Sequence, residues 1–148
     1  MTHQKFDQYI FTRYRDIPPE MQKIINATPI EATPLLWLDD KVAKGSFYIE
    51  CHWIWSMQTT EPVTSDKPHT HNFDEVLTFI GSNKNDPYDL GAELHLYIED
   101  EKYVINKTCF VFIPRGTKHL PLVFVKIHSP FIFLTAGNGT AYERVTDD

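Results

Sequence analysis

The sequence predicts an all-β domain, either a sandwich or a closed barrel, and three observations carry that reading. From Ser46 onward, short segments rich in Val, Ile, Phe, Tyr and Trp follow one another: FYIECHWIWSM, EVLTFIG, AELHLYIED, KYVIN, CFVFIP, LPLVFVKI and PFIFLTA. Gly, Pro, Asn and Asp separate them, which is turn chemistry placed where a sheet reverses. Many of these segments are apolar at both parities. That pattern suits strands covered on both faces, as in a barrel that also pairs with a second subunit.

Before these strands, DIPPEMQKIINATP sets Pro18 and Pro19 ahead of helix formers and closes on a proline. It predicts one short helix over 18–27. TPLLWL then reads as a strand, closed by the turn region DDKVAKG. Further on, IEDEKYV is a tight hairpin connection. GSNKNDPYDLG is a longer polar loop with a glycine at each end, either covering a cavity mouth or joining two strands. No period indicates a solenoid and no stretch is low in complexity. A chain of 148 residues suits one core. It divides into an N-terminal extension over 1–44, whose helix and strand pack on the barrel, and the barrel itself over 45–148.

Composition narrows the function. Hydrophobic residues make up 42% and aromatic residues 14%, enough for a packed interior. The net charge is −6, with no Lys/Arg cluster, so the basic footprint of a nucleic-acid binder is missing. No segment has the unbroken apolar length of a membrane-spanning helix. MTHQKFDQYIFTRYRD lacks the charged-then-apolar pattern of a leader, which predicts a cytoplasmic protein and makes the sequons NAT, NKT and NGT coincidental. Cys51 and Cys109 read as small buried hydrophobes rather than a disulfide.

The stretch KPHTHNFDEVLTFIG concentrates donors ahead of a strand. On extended chain His69 and His71 point the same way, about 6.6 Å apart along the backbone, so both imidazoles can lean onto one ion. Glu75 would lie about 13 Å further along a straight strand, so sharing that ion requires a bend, for which Asn72-Phe73-Asp74 is suited. A divalent ion wants a further ligand. IPRGTKHLPL offers one: Pro114 ends a strand, Gly116 allows a tight turn, and His119 enters the next strand. Asp74 should face away from Glu75 as a turn or surface residue. Arg115 and Lys118 read as solvated turn residues, and His3, His52, His95 and His128 as structural histidines.

His69-x-His71-x-x-x-Glu75 followed by Gly81, then Pro114-x-Gly116-x-x-His119, resembles the two motifs of the cupin family. The likeness covers roughly residues 45–136. It implies a double-stranded β-helix, or jelly-roll, barrel in which His69, His71, Glu75 and His119 bind one metal ion in the interior. It also implies a homodimer. Three of the family's usual positions differ: Val63 and Thr108 stand where glycines are usual, and Val123 stands where an asparagine is usual.

Three neutral imidazoles and one carboxylate would leave a formal charge of +1 on a divalent ion, with two octahedral positions open. Iron there could serve dioxygenation, while Mn, Zn or Ni would act as a Lewis acid in isomerisation, decarboxylation or lyase chemistry. The implied enzyme acts on a small oxygenated or carboxylated organic molecule. Two other readings stay open, a non-catalytic module that binds or senses a small ligand, and a metal-free structural barrel. Strand 47–57 presents either Cys51, Trp53, Trp55 and Met57 or Tyr48, Glu50, His52, Ile54 and Ser56 to the cavity. On the second alternative, Glu50 and His52 become candidates for substrate contact or proton transfer.

Overall fold

The computed structural model describes residues 4–145. After a single 3-10 turn at Asp7–Tyr9, helix α1 spans Pro19–Ala27, one residue short of the predicted start. Pro19 sits at the first helical position, where a missing N–H costs nothing and the fixed φ favours the helix. Thr28, held extended by Pro29, ends it. Nine residues are too few to hold a helix in water without tertiary support.

Nine strands follow: β1 Ile30–Leu38, β2 Tyr48–Met57, β3 Val63–Ser65, β4 Glu75–Gly81, β5 Asp89–Ile98, β6 Glu101–Lys107, β7 Cys109–Ile113, β8 His119–Ile127 and β9 Phe131–Gly137. They form two antiparallel sheets, ordered β1-β2-β9-β4-β7 and β3-β8-β5-β6. The fold is an all-β jelly-roll barrel with a short N-terminal helix, as expected. The seven strands expected after Ser46 all form, and β1 begins three residues earlier than TPLLWL. The three-residue β3 was not expected, since a segment that brief lacks an alternation to read.

Local chemistry explains the details. β1 is an edge strand, so Pro34 withholds no ladder hydrogen bond, and the register slips beside it. The β5–β6 hairpin closes through Glu99 and Asp100, with Glu99 at φ +53. At Gly81 an added Cβ would lie 2.1 Å from the Asp89 carbonyl oxygen, so only glycine lets β4 leave so close to β5. The loop after Gly81 therefore departs from the end of β4 remote from Glu75, and it connects strands rather than covering the histidines.

The sheets face each other around Leu77, Phe79, Leu94, Leu96, Leu122 and Phe131. A second cluster, Trp37, Tyr48 and Phe73, packs with Tyr14 and Tyr142. Strand β2 turns Tyr48, Glu50, His52 and Ile54 inward and leaves Trp53 and Trp55 stacked at 5.0 Å on the other face. This resolves which face of strand 47–57 meets the interior. Cys51 is buried, Cys109 is half-buried, and both are free thiols. Among the described residues, no helix is long and apolar enough to cross a membrane.

Candidate metal centre

Three chain segments meet at one end of the barrel. His69 and His119 form an antiparallel bridge, each N–H donating to the other's carbonyl at 3.1 Å. The turn Pro114-Arg115-Gly116, with Gly116 at φ +79, donates its Gly116 N–H to the His71 carbonyl at 3.0 Å. Asn72-Phe73-Asp74 supplies the bend, so Glu75 opens β4 beside the imidazoles. Ring centroids lie 4.7 Å apart for His69–His71, 4.6 Å for His69–His119 and 5.1 Å for His71–His119.

Donor atoms of the three histidines all lie within 4.8 Å of one another. Glu75 spans two of them, with Oε1 at 3.0 Å from His119 Nε2 and Oε2 at 3.6 Å from His71 Nε2. Each Nδ1–H donates to a backbone carbonyl: His69 to Lys67 at 2.7 Å, His71 to Glu143 at 2.5 Å and His119 to Thr117 at 2.9 Å. In a neutral imidazole that leaves the Nε2 lone pair facing the cluster. His71 Nε2 is buried with no hydrogen-bond partner. Clustered imidazole nitrogens and a carboxylate favour positive charge between them, and an N/O donor set of this kind suits a divalent transition ion.

No protein-family model matches the chain, and no curated protein does. Among solved structures it is similar to an oxalate oxidase in complex with the substrate analogue glycolate (17% identity, 80% of this chain and 55% of that one, TM-score 0.49). It is also similar to KdgF from Halomonas sp. (12% identity, 93% and 92%, TM-score 0.46). A third is an RmlC-like cupin from Shewanella frigidimarina (14% identity, 94% and 93%, TM-score 0.44). One barrel hosts many chemistries, and none of theirs transfers at such identities. The jelly-roll order of strands and the two histidine motifs joined by backbone bridges inside it decide the fold. The chain has a jelly-roll barrel fold.

In this barrel, burial lowers the pKa of His69 and His71, which favours their neutral forms. A second polar row leads inward from the histidines along β2. Tyr48 donates to Glu50 Oε1 at 2.5 Å, Tyr14 donates to Glu50 Oε2 at 2.7 Å, and His52 Nε2 lies 3.0 Å from the same Oε2. Burial works against charge on Glu50, yet the bonds from His52, Tyr48 and Tyr14 outweigh it and hold the carboxyl below its usual range. Burial pushes the Tyr48 and Tyr14 phenols far up. Past His52 lies an apolar cavity of about 210 Å³ between β1, β2 and β8, with Ile25 of α1 at its edge.

At the rim, Arg115 is the expected solvated turn residue, its side chain 62% exposed, and it also bonds Asp74: its backbone N–H donates to Asp74 Oδ1 at 2.9 Å and its guanidinium lies 3.4 Å from Oδ2. Asp74 also accepts from Asn138 Nδ2 at 3.1 Å, so it locks the two motifs and the chain after β9 together. Thr108, in place of a glycine, donates to the Pro87 carbonyl and accepts from the Gly81 N–H, which holds the loop. His95 pairs with Glu93 at 3.2 Å, and His3 lies outside the described residues.

Sequence reasoning missed the segment after β9. Tyr142 places its hydroxyl 3.3 Å from His69 Nε2, Arg144 Nε donates to that hydroxyl at 3.0 Å, and the Arg144 guanidinium pairs with Asp66. Val145 bridges Thr70. The only signal was one aromatic residue followed by two charges in a polar tail.

Proposed function

We propose that this chain is a cupin and a metal-dependent enzyme acting on a small oxygenated or carboxylated organic molecule, with His69, His71, His119 and Glu75 holding one divalent ion of Fe, Mn, Zn or Ni. The observation that carries the reading is the set of three Nδ1–H bonds to backbone carbonyls, which turns every Nε2 toward one point shared with Glu75. When bound, the ion supplies Lewis-acid polarisation of a substrate oxygen or, as iron, redox chemistry with dioxygen. The chain's own residues do the rest. Glu50, anionic and fed by Tyr48, Tyr14 and His52, accepts a proton from substrate and exchanges it through His52. The apolar walls beside His52 receive the carbon skeleton and exclude water.

Metal analysis of protein purified without a metal-affinity tag tests the centre, and one ion per chain is expected. Oxygen uptake by the iron form against catechols, keto acids and uronates then separates redox from Lewis-acid chemistry. Saturable binding without turnover would replace the enzyme with a ligand-binding module, and metal-free protein would sink the centre. The protein is further proposed to be a homodimer through the outer face of the five-stranded sheet. There Phe112 is 62% and Phe110 78% exposed, beside Phe47 and Val76. Phe112→Asp would then yield a monomer in sedimentation analysis, and an unchanged mass would refute this interface.

A further inference from the structure

The geometry points to Tyr142 as a fifth protein donor to the metal, its phenol oxygen binding beside His69 as the phenol proton leaves to solvent. This inference rests on the metal centre proposed above and adds a ligand from outside both histidine motifs. Two ligands at neighbouring positions of an octahedral ion, each bonded at about 2.1 Å, stand about 3.0 Å apart. Tyr142 Oη and His69 Nε2 are 3.3 Å apart. The contact between His119 Nε2 and Glu75 Oε1, at 3.0 Å, has the same spacing on the other side of the cluster.

Several contacts fix the ring in place. It packs edge-on against His71 with centroids 4.9 Å apart and against Tyr48 at 5.1 Å. Arg144 Nε donates to the phenol oxygen at 3.0 Å, and Asp66 anchors the Arg144 guanidinium. Burial pushes the phenol up to about 12, while the hydrogen bond and charge of Arg144 work against that and favour negative charge on its oxygen, so deprotonation needs the ion itself. The neighbouring Glu143 carbonyl orients His71, and Val145 bridges Thr70, so a single segment sets one imidazole and supplies the extra donor. Five protein donors leave one octahedral position open instead of two.

The test uses the full chain stripped of metal and reloaded with Fe(III), with Zn(II) as a redox-silent second probe. Wild type is expected to bind one ion per chain and show a visible phenolate-to-iron charge-transfer band. On zinc addition it should show the ultraviolet rise of a tyrosinate. Tyr142→Phe should lose both signals while still taking up metal, with affinity lowered about tenfold. Tyr48→Phe, the control for the other nearby phenol, should keep both. One ion per chain with neither signal, or signals that survive Tyr142→Phe, overturns the inference and leaves the metal centre standing. Failure of wild type to bind either ion overturns both.

Discussion

The two ends of the β2 inner row are built on opposite principles. At the Tyr48 end, His71, Glu75 and His119 are buried polar groups held by backbone carbonyls and by the segment after β9. At the Ile54 end, Ile30, Leu122 and Phe124 line an apolar cavity, with Ile25 of α1, a helix without a buried residue, and Thr28 at its edge. Glu50 and His52 lie between the two. One end buys position with hydrogen bonds, and the other gains stability from area removed from water. The buried polar groups and the apolar packing of this barrel therefore lie at different places along one strand.

Substitutions at each end should separate these roles. The largest loss of stability is expected from Phe124→Ala, about 3–5 kcal/mol in denaturant unfolding, with one ion per chain still bound. Loss of metal there would mean that the two ends are coupled. His119→Ala should do the reverse. Its metal affinity should fall about 100-fold and the thermal stability conferred by metal should vanish, as followed by metal titration and melting. Unchanged metal content would remove His119 from the centre.

Glu50→Gln, midway, should cost about 1–3 kcal/mol by weakening bonds from Tyr48, Tyr14 and His52. The folded carboxyl titrates below its unfolded value, so its stabilisation is complete above the usual range of about 4.3 and is lost as pH falls through the folded value. Unfolding curves of wild type and Glu50→Gln should accordingly converge as pH falls below the folded value. A gap that persists in acid would show that the carboxylate is not the source. Ile25→Ala should have the smallest effect, about 1 kcal/mol, while widening the entrance to the apolar cavity. An uptake rate for small apolar probes that does not change would place the entrance elsewhere.

The sequence was most legible where one local rule governs a residue. Alternating β-branched and aromatic runs marked the strands after Ser46, and Pro19 marked the helix, because turn chemistry and propensity act over a few residues. His69, His71, Glu75 and His119 were picked out because their spacing is a motif. Which face of β2 turns inward was not legible. Both parities are apolar, and the decision comes from Thr135 on β9, remote in sequence, which meets Tyr48 and Glu50. Asp74 looked like an ordinary turn acid, yet its role depends on Arg115 and Asn138, which reach it only after the sheets assemble. Tyr142 was missed for the same reason: nothing adjacent to it forecasts where the chain after Gly137 returns.

The bridge between His69 and His119 places two of the imidazoles on main chain that is already paired before any side chain is considered. Ring separation at that end is thus a property of the backbone, common to whatever residues stand at those two positions. At the proposed metal centre, replacing one imidazole by a carboxylate or a thiol would change the ion preferred without dismantling the scaffold. A barrel wired in this way can drift between chemistries by single substitutions, its architecture remaining a constant while its reactivity is a variable.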